Sequence, residues 1–531
     1  MEPTDAPLRR PGGPLRRDED YWAPVASVAD RQRGDLDLLF SISTAARGDA
    51  SVAFDAHPAP GQTLPRSGRH ARPRVSPLEP VLPPRLANFV AGNAWSLRAR
   101  PPVAGRAERA KRVSPGGTLV ALALLLVPLA IILLPQATPL VYAAWMFPMA
   151  ELALMLTGLM FFRHRFRENE EAFTELIIQI TTAGHEQQRV EEIIAQIRGY
   201  HLDMPHRIWV VTEPHDQHRY SSDLTIQVPA DFICKAQKKA RALEYSRRVR
   251  QLLELDRPDV KIIFNDDDVT LTRAYIETGF RADYDLCEGV ITPRHHYAVR
   301  PFGHFLTSHA DDIRTHACLV YCSAFQGLFR RPVHVHGEGM VTTGYAESAV
   351  TWDYDMTASE DLVFGQQAVR KGLRWGWFHE YAEVTSPWSI RDYMIQRRRW
   401  LWGDIHALRH RKVMPLSAAA RVLAKYLAGV VALACSIAGL WLRISGRIPA
   451  TAGILNFGKL ALLAWVALSF SCGWIGASAS GSLRRSDDSR LLAGVLAVIM
   501  MPFSALLTFA AILWPLAQGD PRDFQTIKKT R

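Results

Sequence analysis

Cysteine is scarce in this chain, with six among 531 residues. Cys435 and Cys472 lie in apolar runs, and Cys318 and Cys322 are four residues apart on a predicted helix. No cysteines show the spacing of a zinc module or of the disulfide framework of a small secreted protein. We therefore expect free thiols and a reducing compartment.

The first 117 residues have no long apolar run, so we expect no N-terminal signal peptide. Residues 1–113 hold 15 of the 33 prolines and many arginines, with little hydrophobic periodicity. Such a segment cannot bury enough apolar surface to offset the entropy of ordering it. We predict a disordered, Pro/Arg-rich cytosolic tail over residues 1–113.

Five apolar runs follow, each long enough to cross about 30 Å of hydrocarbon at 1.5 Å per residue. They predict a transmembrane hairpin within residues 114–162 and three further spans within residues 416–518, with a short tail over residues 519–531. The runs cover residues 118–135, 139–162, 423–442, 454–479 and 491–516.

The formal net charge is +11, from 63 Lys and Arg against 52 Asp and Glu. Many basic residues flank the apolar runs, as positive-inside topology signals do, so we expect membrane lipids and not nucleic acid as partners. The flanking arginines place residues 163–415 in the cytosol. Arginine outnumbers lysine 52 to 11, a bias typical of GC-rich bacteria, which favours the plasma membrane.

Residues 163–415 alternate strand-like and helix-like patterns. Residues 175–182 are β-rich, apolar residues between 190 and 197 recur at helical spacing, and residues 207–212 are again apolar and β-branched. Strand, helix and strand in this order predict an α/β domain with a parallel sheet. Residues 261–264 form a third predicted strand, which runs directly into Asn265 and three aspartates.

Ligands of a parallel sheet bind beyond the carboxyl ends of its strands, where these aspartates fall. In extended backbone, Asp266 and Asp268 would point to one side and Asp267 to the other. The pair could bind a divalent cation, Mn²⁺ or Mg²⁺, that also takes diphosphate oxygens. A solvated acidic turn that caps the following helix is the alternative.

Three other groups allow more than one interpretation. Ser359-Glu360-Asp361 fits a binding site or an N-terminal helix cap, and Gln396-Arg397-Arg398-Arg399-Trp400 fits a binding site or an interfacial helix. His334 and His336 would share one face of a strand, but no third ligand has a matching spacing, so we expect no zinc site. Glu151, in the middle of a predicted span, is expected to be hydrogen-bonded inside the helix bundle and not paired with Lys459.

Taken together, the motifs resemble those of family-2 membrane glycosyltransferases, the class of cellulose, chitin and hyaluronan synthases, and most of all the egghead-type β-1,4-mannosyltransferase branch. The resemblance covers residues 140–420 and implies a nucleotide-sugar-binding (GT-A-like) domain inserted between two preceding and about three following transmembrane helices. Asn265 departs from the branch, where an apolar residue is usual. The matching motifs are Asp266–Asp268, His336-Gly337, Glu360-Asp361, Ser386-Pro387 and Gln396–Trp400.

The resemblance also implies residue roles. Asp266 and Asp268 would hold the metal, and Asp361 would act as general base beside Glu360. The other positions would contact the substrates, with Gln396, Arg399 and Trp400 closing over donor and acceptor. The implied substrate-binding residues are Glu213, Lys239, Arg241, Asp266, Asp267, His336, Gln396, Arg399 and Trp400.

The sequence thus predicts a metal-dependent inverting glycosyltransferase, embedded in a membrane, that transfers a hexose from a nucleotide sugar to a lipid-linked or glycan acceptor. The egghead-type resemblance favours mannose from GDP-mannose. Two alternatives remain open: a processive polysaccharide synthase that exports its product through the spans, and a catalytically silent membrane scaffold.

Overall fold

The computed structural model of the chain describes residues 42–43, 138–165, 167–169, 172–294, 302–356, 358–409, 414–447, 452–481, 490–521 and 527. Almost all of the predicted tail and the whole first apolar run, residues 118–135, lie outside the described residues. The domain boundaries drawn from the sequence therefore stay predictions.

The described strands form one sheet with the order β1-β4-β3-β2-β5-β8-β7-β9-β6. The pairs β4-β3, β3-β2 and β2-β5 are parallel, as the alternation of strands and helices predicted. The strands are β1 (Ile42–Ser43), β2 (Glu175–Thr181), β3 (His206–Thr212), β4 (Leu224–Gln227), β5 (Val260–Asp266), β6 (Val269–Leu271), β7 (Leu286–Pro293), β8 (Val341–Thr343) and β9 (Trp375–Val384).

The prediction of a parallel sheet is wrong for the other half, because the sheet is mixed. Strand β8 runs antiparallel to β5 and β7, and β6 runs antiparallel to β9, whereas β7 and β9 are parallel. Strand β6 pairs with β9 and not with β5, and the two-residue turn between β5 and β6 is too short for the crossover of a dozen residues or more that joins parallel strands. A short buried run identifies a strand without giving its direction.

The helices fall into a set around the sheet and a long apolar set. In α2 (Gln187–Gly199) the buried side chains are those that the sequence spaced at helical intervals, Val190, Ile193, Ile194 and Ile197. The helices are α1 (Thr138–Arg165), α2 (Gln187–Gly199), α3 (Lys239–Leu252), α4 (Arg273–Arg281), α5 (Phe302–Ala317) with a π-helix (Cys318–Leu328) directly after it, α6 (Gly344–Val350), α7 (Glu360–Arg370), α8 (Ile390–Arg409), α9 (Leu416–Ile444), α10 (Ala452–Gly481) and α11 (Arg490–Gln518).

Three helices of the described chain are long and apolar enough to cross a membrane. Their apolar segments are Val141–Met160 in α1, Gly458–Ala479 in α10 and Arg490–Gln518 in α11. The predicted span over residues 423–442 falls in α9, which is not one of the three. The total of five spans stays a prediction.

The apolar helices pack directly against the sheet domain. Met155 of α1, Leu319 of the π-helix and Leu468 of α10 belong to one buried cluster that also contains Ile178 of β2 and Val290 of β7. Helix α8 joins the two sets, since Trp402 Nε1 donates a hydrogen bond to the carbonyl of Pro515 in α11. A cavity can therefore be lined from both sets of helices at once.

Candidate active site

The carboxyl ends of β2 and β5 lie side by side, because the two strands pair in parallel with Thr181 opposite Asp266. Strand β5 ends at Asp266, and Asp267 and Asp268 form the turn to β6. Thr182, just past β2, donates a hydrogen bond of 2.8 Å from Oγ1 to Oδ2 of Asp267. The extended backbone that the sequence argument assumed is wrong for the last two aspartates, so strand alternation does not fix their sides.

Helix α3 begins with Lys239, whose Nζ lies 2.5 Å from Oδ1 of Asp266. Burial alone would lower the pKa of Lys239, but the carboxylates of Asp266, Glu360 and Glu338 outweigh burial and raise it. Burial, with the charge of Glu338, raises the pKa of Asp266 against the pull of Lys239. The structure thus holds an ammonium group against the predicted metal-binding carboxylate.

Arg241 and Glu213, both predicted to contact the donor, contact each other. Nη1 of Arg241 lies 3.3 Å from Oε2 of Glu213, and its Nε donates a hydrogen bond of 3.2 Å to the carbonyl of Phe232. Glu213 directly follows β3, at the same sheet edge as Asp266. The pair forms one wall of the site.

Asp361 is the second residue of α7, and Ser359 precedes the helix in the left-handed region at φ 59°. Ser359 does not cap the helix. Its Oγ donates a hydrogen bond of 2.8 Å to Oδ1 of Asp404, while Oδ1 of Asp361 accepts 2.8 Å from the backbone N–H of Leu362. Burial, reinforced by the neighbouring Glu360, raises the pKa of Asp361 to about 7. A carboxyl with this pKa suits a general base near neutral pH.

Helix α8 carries Gln396, Arg399 and Trp400. Gln396 is 2% exposed, and its Oε1 accepts no hydrogen bond from the described residues. Burial lowers the pKa of Arg399 despite the nearby Glu360. The ring of Trp400 lies under the guanidinium groups of Arg397 and Arg314, at 4.4 and 5.2 Å from their Cζ atoms. A buried amide oxygen without a partner is a ready acceptor for a substrate hydroxyl.

The segment His336-Gly337-Glu338 also lines the site. It has no regular structure, so the expectation that His334 and His336 share a strand face is wrong; their rings lie 4.3 Å apart. A Cβ on Gly337 would lie 3.1 Å from Nζ of Lys239 and 3.3 Å from Oδ2 of Asp361. A side chain there would require both groups to shift by a few tenths of an ångström.

Glu338 and Arg314 are site residues that the sequence reasoning missed. Nη2 of Arg314 lies 2.9 Å from Oε1 of Glu338. Burial opposes ionisation of Glu338, but Arg314 and then Lys239 outweigh it and lower the pKa to about 2. The position of Glu338 beside the His-Gly pair was a usable signal, whereas Arg314 lies on α5 with no motif around it.

All twelve predicted site residues line one cavity of about 1740 Å³. Its polar end contains seven carboxylates, counting Glu338, together with Lys239, Arg241, Arg314 and Arg399. The structure therefore brings together three separate sequence motifs, and the roles of their residues stay predictions. The twelve residues are Glu213, Lys239, Arg241, Asp266, Asp267, Asp268, His336, Glu360, Asp361, Gln396, Arg399 and Trp400.

The same cavity continues between the apolar helices. Phe147 of α1, Trp465 of α10 and Phe509 of α11 line this end. Glu151 also lines it and accepts a hydrogen bond of 2.5 Å from the hydroxyl of Tyr321, with Nε2 of His316 at 3.4 Å from its other oxygen. Among the described residues, the partners of Glu151 thus come from the α5 and π-helix segment.

Residues 261–516 match the family model described as glycosyl transferase family group 2. The chain contains a family-2 glycosyltransferase domain. Its mixed α/β sheet resembles the GT-A fold, so the predicted family and fold class are confirmed. This match supports a glycosyltransferase over a catalytically silent scaffold.

Curated relatives of this glycosyltransferase are β-1,4-mannosyltransferases. It is 26% identical to the enzyme egh of Drosophila melanogaster over 334 residues, which are 59% of this chain and 67% of that protein. It is 28% identical to bre-3 of Caenorhabditis elegans and of Caenorhabditis briggsae over 210 residues, 38% of this chain. The match spans only 45% of the length of each bre-3 protein.

Among solved structures, the glycosyltransferase is similar to a mannosyltransferase from Pyrobaculum calidifontis in complex with GDP-Man and Mn²⁺. The identity is 13% and the TM-score 0.37, with 72% of this chain and 99% of the other covered. A similarity this distant carries no weight for the ligands of this chain.

Proposed function

We propose that this glycosyltransferase transfers a hexose, with inversion, from a nucleotide sugar to a lipid-linked acceptor at the membrane. The observation that carries the proposal is the single cavity, which runs from the carboxylates after β5 to the space between α1, α10 and α11. A soluble glycan acceptor needs no such apolar extension. Mannose from GDP-mannose is the leading donor, because the curated relatives are named mannosyltransferases.

Asp266 and Asp268 would hold a divalent cation. Carboxylate oxygens are the ligands that Mg²⁺ and Mn²⁺ prefer. Burial and the negative charge of Glu338 raise the pKa of Asp266, so a cation bound there would stabilise the ionised carboxylate. When bound, the cation supplies charge neutralisation for the diphosphate leaving group. Lys239 would then exchange part of its contact with Asp266 for a phosphate oxygen.

Asp361 would take the proton of the acceptor hydroxyl. The acceptor oxygen forms its bond to the anomeric carbon while the bond from that carbon to the diphosphate oxygen breaks, and the electron pair leaves with the nucleoside diphosphate. Attack from the face opposite the leaving group inverts the anomeric centre and needs only one base. Gln396, Arg399 and Trp400 would hold donor and acceptor in line.

The experiment is a donor panel on the purified full chain in detergent. Radiolabelled GDP-mannose, UDP-glucose and UDP-N-acetylglucosamine are each offered with a membrane lipid extract, and the product is partitioned between organic and aqueous phases. We expect label from GDP-mannose in the organic phase, as a single addition. Label only in a long water-soluble polymer would support the processive synthase, and no transfer from any donor would contradict the enzyme assignment.

We further propose that the catalytic domain faces the cytosol, from the arginines beside the apolar runs, and that the membrane is the plasma membrane, from the excess of arginine over lysine. Cys287 in β7 is fully buried and cannot report on topology, whereas Lys235 is exposed. A Lys235→Cys variant should react with an impermeant maleimide only after lysis of the cells. Labelling in intact cells would reverse the orientation.

A further inference from the structure

Two cysteines of the π-helix and one loop histidine converge on a single point. Cys318 opens the π-helix and Cys322 follows about one turn later, while His336 enters from the loop before β8. Sγ of Cys318 lies 3.0 Å and Sγ of Cys322 lies 3.7 Å from Nε2 of His336. The three ligand atoms all lie within 4.8 Å of one another.

We propose that Cys318, Cys322 and His336 bind one zinc ion. Zinc takes thiolate sulfur at about 2.3 Å and imidazole nitrogen at about 2.0–2.1 Å, so a tetrahedral ion holds its ligand atoms roughly 3.6–3.8 Å apart. The observed separations of 3.0 and 3.7 Å need only a small shift of one ring to match. The sequence prediction of no zinc site rested on the spacing around His334 and His336, and this proposal departs from it.

The chemistry of the ligands selects zinc over the cation proposed for the donor. Two sulfurs and an imidazole nitrogen form a soft ligand set, whereas Mg²⁺ and Mn²⁺ prefer the oxygen ligands of Asp266 and Asp268. Binding releases the thiol protons, because the thiolate is the ligand. Three protein ligands leave the fourth position of the ion for a small exogenous ligand.

The surroundings hold the ligands in place before any ion arrives. Cys318, Cys322 and His336 are 0, 2 and 3% exposed. Glu288 links the loop to the π-helix: its carboxylate accepts 2.9 Å from the backbone N–H of His336 and 3.0 Å from Nε2 of Gln326. The N–H of Ile291 points at Sγ of Cys318 from 3.4 Å, as a donor to a thiolate does. Such supporting contacts typically orient metal ligands.

The position of the ion gives it a structural role in the active site. His336 is followed by Gly337, whose Cα faces Lys239 and Asp361, and by Glu338, which pairs with Arg314. A zinc ion would tie this segment to the π-helix and so fix one wall of the cavity. The zinc proposal does not rest on the identity of the donor or acceptor, although His336 also lines the cavity.

The test measures metal bound to the full chain, purified in detergent from cells grown with added zinc. After passage over a chelating resin, mass spectrometry of the metals should find about one zinc per chain. The double variant Cys318→Ser/Cys322→Ser should retain less than about a tenth of that. The matched control Cys234→Ser/Cys435→Ser removes the same number of thiols elsewhere and should keep the zinc.

Two further measurements test whether the zinc lies at the donor site and whether the double variant loses zinc only because it misfolds. Zinc retained by Asp266→Asn places the ion away from the donor site, and zinc lost from that variant overturns the proposal. Wild-type protein stripped of metal and loaded with Co²⁺ should show thiolate-to-cobalt charge-transfer absorption in the near ultraviolet, whether or not the double variant folds. Wild-type protein without zinc and without this absorption would show that the three residues form only a hydrogen-bonded cluster.

Discussion

Nζ of Lys239 lies 2.5 Å from Oδ1 of Asp266, so the first residue of α3 neutralises the last residue of β5. The two belong to a cavity wall in which carboxylates outnumber cations, and Glu338 and Glu360 raise the pKa of the same ammonium against its burial. A bound diphosphate would add to this negative charge. An added cation beside the pair would offset this excess of negative charge.

We expect nucleoside diphosphate to bind at least about tenfold more weakly in chelator than with Mn²⁺, because Asp266, Asp268 and the diphosphate repel one another without a cation. Asp266→Asn should remove most of this metal dependence. The exposed Asp231→Asn is the matched control and should keep it. Isothermal titration calorimetry measures the GDP affinity of all three proteins. If the wild-type protein bound GDP equally well with Mn²⁺ and with chelator, the metal would have no part in donor binding.

Asp361→Asn should lower turnover at least about a hundredfold with little change in nucleotide affinity. The amide keeps the shape of the carboxyl but cannot take the acceptor proton, and general base catalysis is typically worth 10²- to 10⁴-fold. If Asp361 only stabilised the start of α7, asparagine would be an adequate replacement and turnover would be retained. Turnover and GDP affinity measured on one preparation separate the two roles.

The pH profile gives an independent check on the same residue. A base must be deprotonated, and burial raises the pKa of Asp361 to about 7. Wild-type turnover should therefore fall roughly tenfold per unit as the pH drops below 7 and level off above it. The low residual turnover of Asp361→Asn should no longer fall as the pH drops below 7. If the pH profile of the variant matched that of the wild type, the fall in turnover would belong to another group.

Gly337→Ala should lower turnover by at least about tenfold. The added methyl group would lie 3.1 Å from Nζ of Lys239 and 3.3 Å from Oδ2 of Asp361, so both charged groups must move. Gly199→Ala adds the same methyl group at the end of α2, where no atom lies within 4 Å, and should be silent. Steady-state kinetics compare the two variants. If Gly337→Ala were fully active, Lys239 and Asp361 could shift to accommodate the methyl group without loss of turnover.

Ala505→Trp should raise the KM for a lipid-linked acceptor by about tenfold or more and leave GDP affinity unchanged, because Ala505 of α11 lines the apolar end of the cavity. Leu506→Trp is the matched control. It is the next residue of the same helix, is 54% exposed and does not line the cavity. Similar kinetics in both variants would place the acceptor lipid elsewhere.

The sequence by itself determined the family, and every residue that it predicted for the site lines the cavity. Asp266, Asp361 and Trp400 were recognisable because each lies in a short motif whose order along the chain matches a known class, and all of them line the cavity. The buried strands and α2 were predictable from local periodicity. Residues two apart share a face of a strand, and residues three or four apart share a face of a helix. These are properties of neighbouring residues, which a sequence displays directly.

Only the tertiary structure decided the direction of β8 and β6, the pairing of Lys239 with Asp266 and the meeting of Cys318 with His336. Strand direction depends on the whole path of the chain, which local periodicity does not record. Cys318 and His336 are 18 residues apart, without the spacing of any zinc module. They meet because a π-helix and an irregular loop pack on the same part of the sheet, and packing of distant segments has no local signature in the sequence.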